Sequence, residues 1–241
     1  MGPKREVITK RYDAWAYEPL TREYYGYSDF YNFGLWLEDT HDQKQACQNL
    51  MEKLLSFIAE KKGAILDLGC GMGATTRHLL RYWKPSQTVG IDISVKQLKT
   101  GSANAPGCAF VAMDAMELGF RDSVFDNVIC VEAAFHFERQ CFLQEVYRVL
   151  QPGGHLVLSD ILVAPWAARL SPVVPSSNAV GDMGAYRTLF TQAGFGDVVV
   201  VDATDATWRP FSRHLRRWTW RKLLAREAGL LGCVKAVLPY L

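Results

Sequence analysis

The fold of this chain is decided by the stretch Ile65-Leu66-Asp67-Leu68-Gly69-Cys70-Gly71-Met72-Gly73. A short apolar run, typical of a buried strand, ends here in three glycines on alternate positions, and a helix-compatible segment follows at residues 74–80. Glycine lets the backbone turn sharply and approach a ligand closely, because it carries no Cβ. The N–H groups at the start of the next helix then face that ligand. The stretch therefore predicts a nucleotide-like cofactor at the carboxyl end of the first strand of an α/β sheet.

The spacing of the glycines narrows the choice of cofactor. Dinucleotide-binding folds usually read G-x-G-x-x-G, which places a pyrophosphate on the helix dipole. Here the pattern is D-x-G-x-G-x-G, with Asp67 two residues before the first glycine. A carboxylate at that position would repel pyrophosphate but can accept hydrogen bonds from an amino group. The motif therefore favours a cofactor with an amino-acid tail, and the alternative is an ordinary glycine-rich turn between a strand and a helix.

Composition and length limit the class of protein. A chain of 241 residues suits one α/β domain with an appendage. The 27 Lys and Arg residues nearly balance 25 acids, which gives no argument for a nucleic-acid partner, and we expect none. Six scattered cysteines without a C-x-x-C pair predict buried free thiols and no metal site. No window of 18 apolar residues and no signal peptide are seen, so we expect a cytoplasmic protein without stable membrane insertion.

Apolar runs alternate with amphipathic segments from residue 64 onward. Buried runs separated by helices predict a doubly wound, mostly parallel sheet covered on both faces, a Rossmann-like α/β fold. The predicted strands are residues 64–68, 88–93, 108–113, 125–131, 155–162 and 197–202. The predicted helices between them are residues 75–83, 95–103, 139–150 and 183–193. We divide the chain into an N-terminal lid and helix (1–60), a cofactor-binding core (61–205) and a helical tail (206–241).

The first 60 residues differ in character from this core. A helix is predicted over residues 39–59, and the preceding residues 12–36 contain ten aromatic side chains. Such a segment forms either a hydrophobic strap packed on the sheet or a lid that closes over a cofactor and an apolar substrate. The candidate lid residues are Tyr24, Tyr25, Tyr31 and Trp36.

Two further segments have surface character. Residues 171–178 are rich in Ser and Pro and predict a loop on the ligand-binding rim. Beyond residue 207, aromatic and aliphatic side chains recur at helical spacing opposite several arginines. This pattern predicts an amphipathic helix with a solvated basic face, and the alternative is a surface for an acidic substrate or an anionic membrane.

Three acids fall where predicted strands end, on the crevice side of such a sheet. Asp92 closes the second strand and can accept two hydrogen bonds from the hydroxyls of a ribose. Asp114 closes the third strand and is placed to accept from an exocyclic adenine amine, and Glu132 ends the fourth beside the same crevice. Each acid alone could instead be a helix cap or a turn residue. Their common register with the glycine stretch argues against that alternative.

This ordered set of motifs resembles the class I S-adenosylmethionine-dependent methyltransferases. The resemblance runs from about residue 63 to residue 202 and includes Phe125-Asp126-Asn127-Val128 and Leu150-Gln151-Pro152-Gly153-Gly154. A narrower resemblance to bacterial natural-product methyltransferases rests on Tyr31-Asn32-Phe33-Gly34-Leu35-Trp36 and on Glu132-Ala133-Ala134-Phe135-His136-Phe137. Sugar O-methyltransferases and terpenoid C-methyltransferases are branches of that group.

The resemblance implies S-adenosylmethionine as cofactor and S-adenosylhomocysteine as product. It implies Asp67 near the methionine amino group, Asp92 on the ribose, and Asp114 with Ala115 at the adenine. The full set of expected cofactor residues is Asp67, Gly69, Cys70, Gly71, Gly73, Asp92, Ile93, Gln97, Asp114, Ala115, Met116 and Glu132.

The expected reaction is methyl transfer to a hydroxyl of a fairly apolar small molecule. Such a transfer needs the acceptor in line with the S–CH₃ bond and removal of its proton. His136 is the candidate base because an imidazole titrates near physiological pH. Asp160, after the neighbouring strand, could orient it, as proposed for matching residues in the sugar O-methyltransferases. The alternatives are a structural histidine at position 136 and C- or N-methylation of a terpenoid or other small metabolite.

Other classes of function fit the sequence less well. A binding protein without turnover predicts degraded glycines or missing acids, and an NAD-dependent oxidoreductase predicts a different glycine spacing. The end of the sequence departs from the family, since residues 221–241 lack its last antiparallel strand, so the chain is either truncated or finished by a helical tail. The acceptor and the oligomeric state do not follow from the sequence, which is compatible with a homo-oligomer.

Overall fold

A computed structural model describes residues 3–164, 166, 168, 174–225, 227 and 229. The first three residues of the predicted loop 171–178 and most of the predicted tail beyond residue 225 lie outside these described residues. The chain divides into two compact units. The first comprises Met1–Val7 and Leu54–Val201, and the second comprises Ile8–Lys53 and Asp202–Leu241.

The first unit is built on a five-stranded parallel sheet. Its strands are β1 (Ile65–Leu68), β2 (Thr88–Asp92), β3 (Ala109–Ala112), β4 (Phe125–Val131) and β5 (Leu150–Ser159). They lie in the order β3-β2-β1-β4-β5. The order therefore changes direction between β1 and β4, and a ligand crevice is expected outside the carboxyl ends of these two strands. The predicted α/β fold is confirmed.

Helices follow the strands and occupy the remaining segments. In chain order they are α1 (Pro3–Ala16), α2 (Pro19–Tyr24), α3 (Gln43–Leu55), α4 (Ala74–Leu79), α5 (Val95–Asn104), α6 (Arg139–Val149), α7 (Met183–Gln192) and α8 (Trp208–Leu224). Helices α2, α5 and α7 begin at side-chain caps, since Glu18 accepts from Thr21 N, Ser94 from Gln97 N and Asp182 from Ala185 N. Short 3₁₀ turns form at Pro85–Gln87, Ala134–His136 and Ser176–Asn178. Among the described residues, none of these helices has the length and apolar character needed to cross a bilayer.

The core of the first unit lies where α6 and α7 cover the centre of the sheet. Strand residues Leu66, Leu68 and Val128 are fully buried there against Phe142 and Val146 of α6. Near-continuous burial along β1 and β4 explains why these strands are mostly apolar rather than alternating, with Asp67 in β1 and Asp126 and Asn127 in β4 as the polar exceptions.

The prediction of a sixth strand at residues 197–202 is wrong. Val198 and Val200 pack against the core while Val199 and Val201 are exposed, so the segment has the alternation of a strand. It makes no sheet ladder with the described residues, and without a hydrogen-bonded neighbour it is extended but irregular.

The boundaries of β5 also differ from the prediction. The strand begins at Leu150, five residues earlier than expected, and runs through the predicted turn at 151–154. It accommodates that Pro-Gly-Gly turn by a register shift against β4, between the pairings of Phe125 and Asn127. It ends at Ser159 rather than at residue 162.

Close packing around the ring of Phe110 fixes how β2, β3 and α5 meet. A Cβ built on Gly90 or Gly101 would lie only 2.9 Å or 2.8 Å from Cε1 of that ring, and one on Gly73 would lie 3.2 Å from Cζ. The Gly73 Cβ would also lie 2.7 Å from the Cα of Gly101. Three glycines from separate segments therefore make room for one phenylalanine, which brings the glycine loop onto α5.

A double substitution tests this packing. Gly90→Ala should lower the free energy of unfolding by about 1–3 kcal/mol, because the new methyl group overlaps the Phe110 ring. Phe110→Leu should lower the free energy of unfolding by less in the Gly90→Ala variant than in the wild type, since the smaller side chain relieves the overlap. Urea denaturation of the four proteins measures this coupling, and purely additive costs would contradict the packing argument.

Candidate active site

The glycine loop after β1 has a backbone that favours glycine at three positions. Gly69, Gly71 and Gly73 have φ angles of +68°, +53° and +76°. A Cβ on Gly69 would lie 2.6 Å from the Cβ of Ala133, which follows β4. The loop is therefore held close to the neighbouring strand end, where any larger residue would clash.

Asp67 lies beneath this loop in the middle of β1 and is almost fully buried. Its Oδ2 accepts hydrogen bonds from the hydroxyls of Thr75 (2.6 Å) and Thr76 (2.7 Å) on α4. Its Oδ1 is also buried and has no hydrogen-bond partner among the described residues. Burial raises the pKa of Asp67 to about 6, although the two hydroxyls act in the opposite direction. The site thus contains a desolvated carboxylate with an acceptor atom suited to a cationic donor.

Asp92 ties the glycine loop to β2. Its Oδ2 accepts from the N–H of Gly71 at 3.0 Å, and its Oδ1 accepts from the N–H of Ser94 at 2.8 Å. Ile93 follows it directly, and Gln97 on α5 lies close to the glycine loop, since a Cβ on Gly71 would lie 3.2 Å from its Oε1. The carboxylate is therefore held rigidly by backbone donors at the mouth of the crevice.

The next turn brings the predicted adenine residues together. Oδ1 of Asp114 accepts from the N–H of Met116 at 2.8 Å, which forms a tight turn around the buried Ala115. The sulfur of Met116 in turn accepts from the N–H of Glu138 at 3.0 Å. This contact joins the turn after β3 to the segment that follows β4.

Glu132, the first residue after β4, has an unusual backbone. Its φ of +49° lies in the left-handed region, which is uncommon for a residue with a side chain. Its N–H donates to Ser159 O at 2.8 Å, so the pairing with β5 continues through this strained residue. Strain of this kind is often found at functional sites.

His136 closes the 3₁₀ turn after β4 and is half-buried. Its ring lies 3.8 Å, centre to centre, from the ring of Phe135. Asp160, its predicted partner, forms an ion pair with Arg139 at 2.8 Å and accepts from the hydroxyl of Tyr186, also at 2.8 Å. The expected hydrogen bond between Asp160 and the imidazole remains a prediction.

Sequence reasoning missed the residues that surround Asp160. Arg139 is 4% exposed and lies on the core-facing stripe of α6 with Phe142 and Val146. A signal was available, since an arginine at the head of an apolar helical stripe requires a buried anion. Which anion it meets depends on tertiary contacts that no local pattern shows.

The four predicted lid residues lie in the second unit, where they pack mainly against other aromatic side chains. Tyr24 makes edge contacts with Tyr25 and with Trp218 of α8. Its hydroxyl donates to Gln43 Oε1 at 3.1 Å, Tyr31 donates to Ala16 O at 2.5 Å, and Trp36 donates to Phe33 O at 3.0 Å. Their role toward a substrate remains a prediction.

Comparison with known proteins agrees with this geometry. A family model described as a methyltransferase domain matches residues 66–158. The 27-O-demethylrifamycin SV methyltransferase of Amycolatopsis mediterranei is 28% identical over 95% of this chain and 84% of its own length. A phthiotriol/phenolphthiotriol dimycocerosates methyltransferase of Mycobacterium ulcerans is 34% identical over 57% of this chain. The match spans about half, 53%, of that mycobacterial relative.

Solved structures show the same fold. The [4+2]-cyclase SpnF superposes with a TM-score of 0.76 at 21% identity, over 99% of this chain and 92% of its own. The geranyl diphosphate C-methyltransferase from Streptomyces coelicolor A3(2), solved with S-adenosyl-L-homocysteine, superposes with a TM-score of 0.72 at 16% identity. That match covers 88% of this chain and 86% of the other.

The backbone strain at Glu132 gives a test that needs no ligand. Glu132→Gly should be more stable than Glu132→Ala by about 1 kcal/mol, because a side chain in the left-handed region costs about that much. At Lys99, an exposed residue of α5, the order should reverse, since glycine destabilises a helix relative to alanine. Thermal unfolding of the four variants measures these differences in stability. If alanine were the more stable residue at both positions, the result would contradict strain at residue 132.

Proposed function

Because a methyltransferase-domain model matches residues 66–158, we propose that the chain transfers a methyl group from S-adenosylmethionine to a hydroxyl of a fairly apolar small molecule. The observation that carries this proposal is the placement of His136. It follows β4 at the same edge of the parallel sheet as the glycine loop after the neighbouring β1. A group that can accept a proton thus lies beside the segments suited to the methyl donor.

The residues at this edge fit the donor. Oδ1 of Asp67 is a buried acceptor that the methionine ammonium of S-adenosylmethionine would satisfy. The glycine loop lets the backbone approach the cofactor, and Cys70 lies within it. We assign Asp92, with Ile93 and Gln97, to the ribose, because a carboxylate can accept hydrogen bonds from its hydroxyls. We assign Asp114, Ala115 and Met116 to the adenine, and Glu132 to the adjoining wall.

The protein's own task is to position the acceptor and move one proton. When bound, S-adenosylmethionine supplies a methyl group already activated by its sulfonium centre. His136 would accept the proton of the acceptor hydroxyl as the new O–C bond forms and the S–CH₃ bond breaks, which would leave S-adenosylhomocysteine. The half-buried ring is accessible to an acceptor and is held against Phe135, which limits its rotation.

Asp160 supports the base in this proposal. Its Oδ2 already accepts from Arg139 and Tyr186, and its Oδ1 accepts from the N–H of Ile161 at 2.8 Å. A direct bond to the imidazole would therefore use the remaining lone pair of Oδ1.

The names of two relatives support this class of acceptor. The relative that matches nearly the whole chain is named for a 27-O-demethyl substrate, which favours a hydroxyl over carbon or nitrogen. The mycobacterial relative is named for phthiotriol dimycocerosates. We therefore propose a hydroxylated natural product or lipid as the acceptor, with C- or N-methylation as the outcome to be excluded.

The raised pKa of Asp67 predicts how cofactor binding depends on pH. Above its pKa of about 6 the carboxylate is charged and attracts the ammonium group, and below that pH it is protonated and the attraction is lost. The affinity for S-adenosylhomocysteine should therefore fall as the pH is lowered through about 6. Asp67→Asn should weaken binding at pH 7.5 by about 10-fold or more and flatten this pH dependence.

Isothermal calorimetry with S-adenosylhomocysteine, from pH 5 to pH 8, measures both effects. Asp122→Asn, which alters an exposed carboxylate, is the matched control and should bind as the wild type does. Wild-type affinity in the Asp67→Asn variant would overturn the assignment of Asp67 to the cofactor.

Replacement of His136 tests the base. His136→Ala should lower O-methyl transfer by about 100-fold or more, which is the usual contribution of a general base, without changing S-adenosylhomocysteine affinity. His155→Ala, at an exposed position of β5, is the control and should retain activity. The assay follows labelled methyl from S-adenosylmethionine into a panel of hydroxylated macrolides and lipid diols.

The products distinguish the alternatives. Label on an oxygen that is lost in His136→Ala supports the proposal. Full activity of that variant contradicts the base assignment, and label on carbon or nitrogen contradicts the hydroxyl acceptor.

A further inference from the structure

A buried polar cluster joins four segments of the first unit. Its members are Arg139 at the start of α6, Asp160 after β5, Asn178 in the 3₁₀ turn Ser176–Asn178, and Tyr186 on α7. The side chains of Arg139 and Asp160 are 4% and 3% exposed, and Asn178 is fully buried. Charges so far removed from water persist only when they are paired and hydrogen-bonded, so this cluster has little freedom to rearrange.

The guanidinium of Arg139 is the centre of the cluster. Its Nε and Nη2 donate to Oδ2 of Asp160 at 3.1 Å and 2.8 Å, and Nη2 also donates to Ile161 O at 3.1 Å. Its Nη1 donates to Asn178 O at 2.6 Å. The ring of Tyr186 lies 5.3 Å below the guanidinium carbon. Arg139 thereby fixes the backbone of residue 178 relative to the end of β5.

Asn178 transmits this position to the segment that carries His136. Its Nδ2 donates to Phe135 O at 3.0 Å and to Phe137 O at 2.5 Å, which are the carbonyls on either side of His136. Its Oδ1 accepts from the N–H of Arg139 at 3.3 Å. One amide therefore clamps the backbone before and after the histidine.

We propose that Arg139 and Asn178 are positioning residues for His136. Arg139, neutralised by Asp160, holds the turn at residue 178, and Asn178 holds the carbonyl groups of Phe135 and Phe137, the residues before and after His136. Asp160 then contributes through Arg139, whether or not it also touches the ring. This inference rests on the proposed role of His136, since a displacement of about 1 Å at a reacting group can cost about 100-fold in rate.

Asn178→Asp tests the clamp with a side chain of the same shape. The aspartate keeps an acceptor for Arg139 N, but it presents an oxygen to the carbonyls of Phe135 and Phe137 and so removes both donations. We expect kcat for labelled-methyl transfer to fall by about 10- to 100-fold, with S-adenosylhomocysteine affinity and the KM of the acceptor nearly unchanged.

A second asparagine provides the matched control. Asn127 is also buried and donates from Nδ2 to Lys62 O at 2.9 Å, at the opposite end of β4. Asn127→Asp should therefore cost comparable stability, while kcat stays near that of the wild type. Equal losses of kcat in the two variants would show a structural effect only and overturn the proposal.

The imidazole itself gives a readout that does not depend on the base assignment. In ¹⁵N-histidine-labelled protein, the resonance missing from His136→Ala identifies residue 136. Asn178→Asp should broaden or shift that resonance and alter its titration curve, and Asn127→Asp should not. If His136→Ala is fully active but the resonance still moves, the proposed base fails and the positioning stands. An unmoved resonance with unchanged kcat overturns the positioning.

A variant of Arg139 covers the case in which Asn178→Asp does not fold. Arg139→Lys keeps the positive charge beside Asp160 but loses the planar fork that reaches Asn178 O at the same time. Like Asn178→Asp, it should lower kcat and should broaden or shift the His136 resonance. Wild-type values for both would contradict the proposal.

Discussion

The ends of β1 and β4 approach so closely that residue 69 has room for a hydrogen atom and nothing larger. The two strands pair in parallel, with Leu68 opposite Cys130, and the chain leaves both at the same edge. The glycine loop must therefore turn at once, and its next N–H groups meet the end of β2 through the bond from Gly71 to Asp92. The positions of the other site segments follow from this one steric constraint.

Two buried carboxylates near that edge are satisfied in different ways. Asp160 meets the guanidinium of Arg139, so its charge is neutralised inside the protein. Asp67 meets two threonine hydroxyls, and its second oxygen has no hydrogen-bond partner among the described residues. Burial accordingly raises the pKa of Asp67. The first carboxylate has a structural partner, whereas the second keeps a buried acceptor atom that we propose for the ammonium group of the cofactor.

Much of the fold could be predicted from the sequence because its determinants are local. Continuous apolar runs predict β1, β2 and β4 to within a residue or two, and the glycine spacing places the loop. The error at 197–202 arose because an apolar run predicts an extended chain, while a strand also needs a hydrogen-bonded neighbour. The site was less accessible to such reasoning. The acids at 92 and 114 were found by their positions at strand ends, but their backbone partners were not, and the Arg139 cluster joins segments 20 to 40 residues apart through contacts that no local pattern encodes.

The order of these segments along the chain has a consequence for how such a protein can diversify. The residues assigned to the donor lie almost entirely before residue 117, and those assigned to the base and its support lie after residue 131. Met116 bridges the two parts through its sulfur to the backbone of Glu138, a contact that does not depend on the side chain at 138. Substitutions after residue 131 can thus alter the base and its support while the residues assigned to the methyl donor stay almost entirely unchanged.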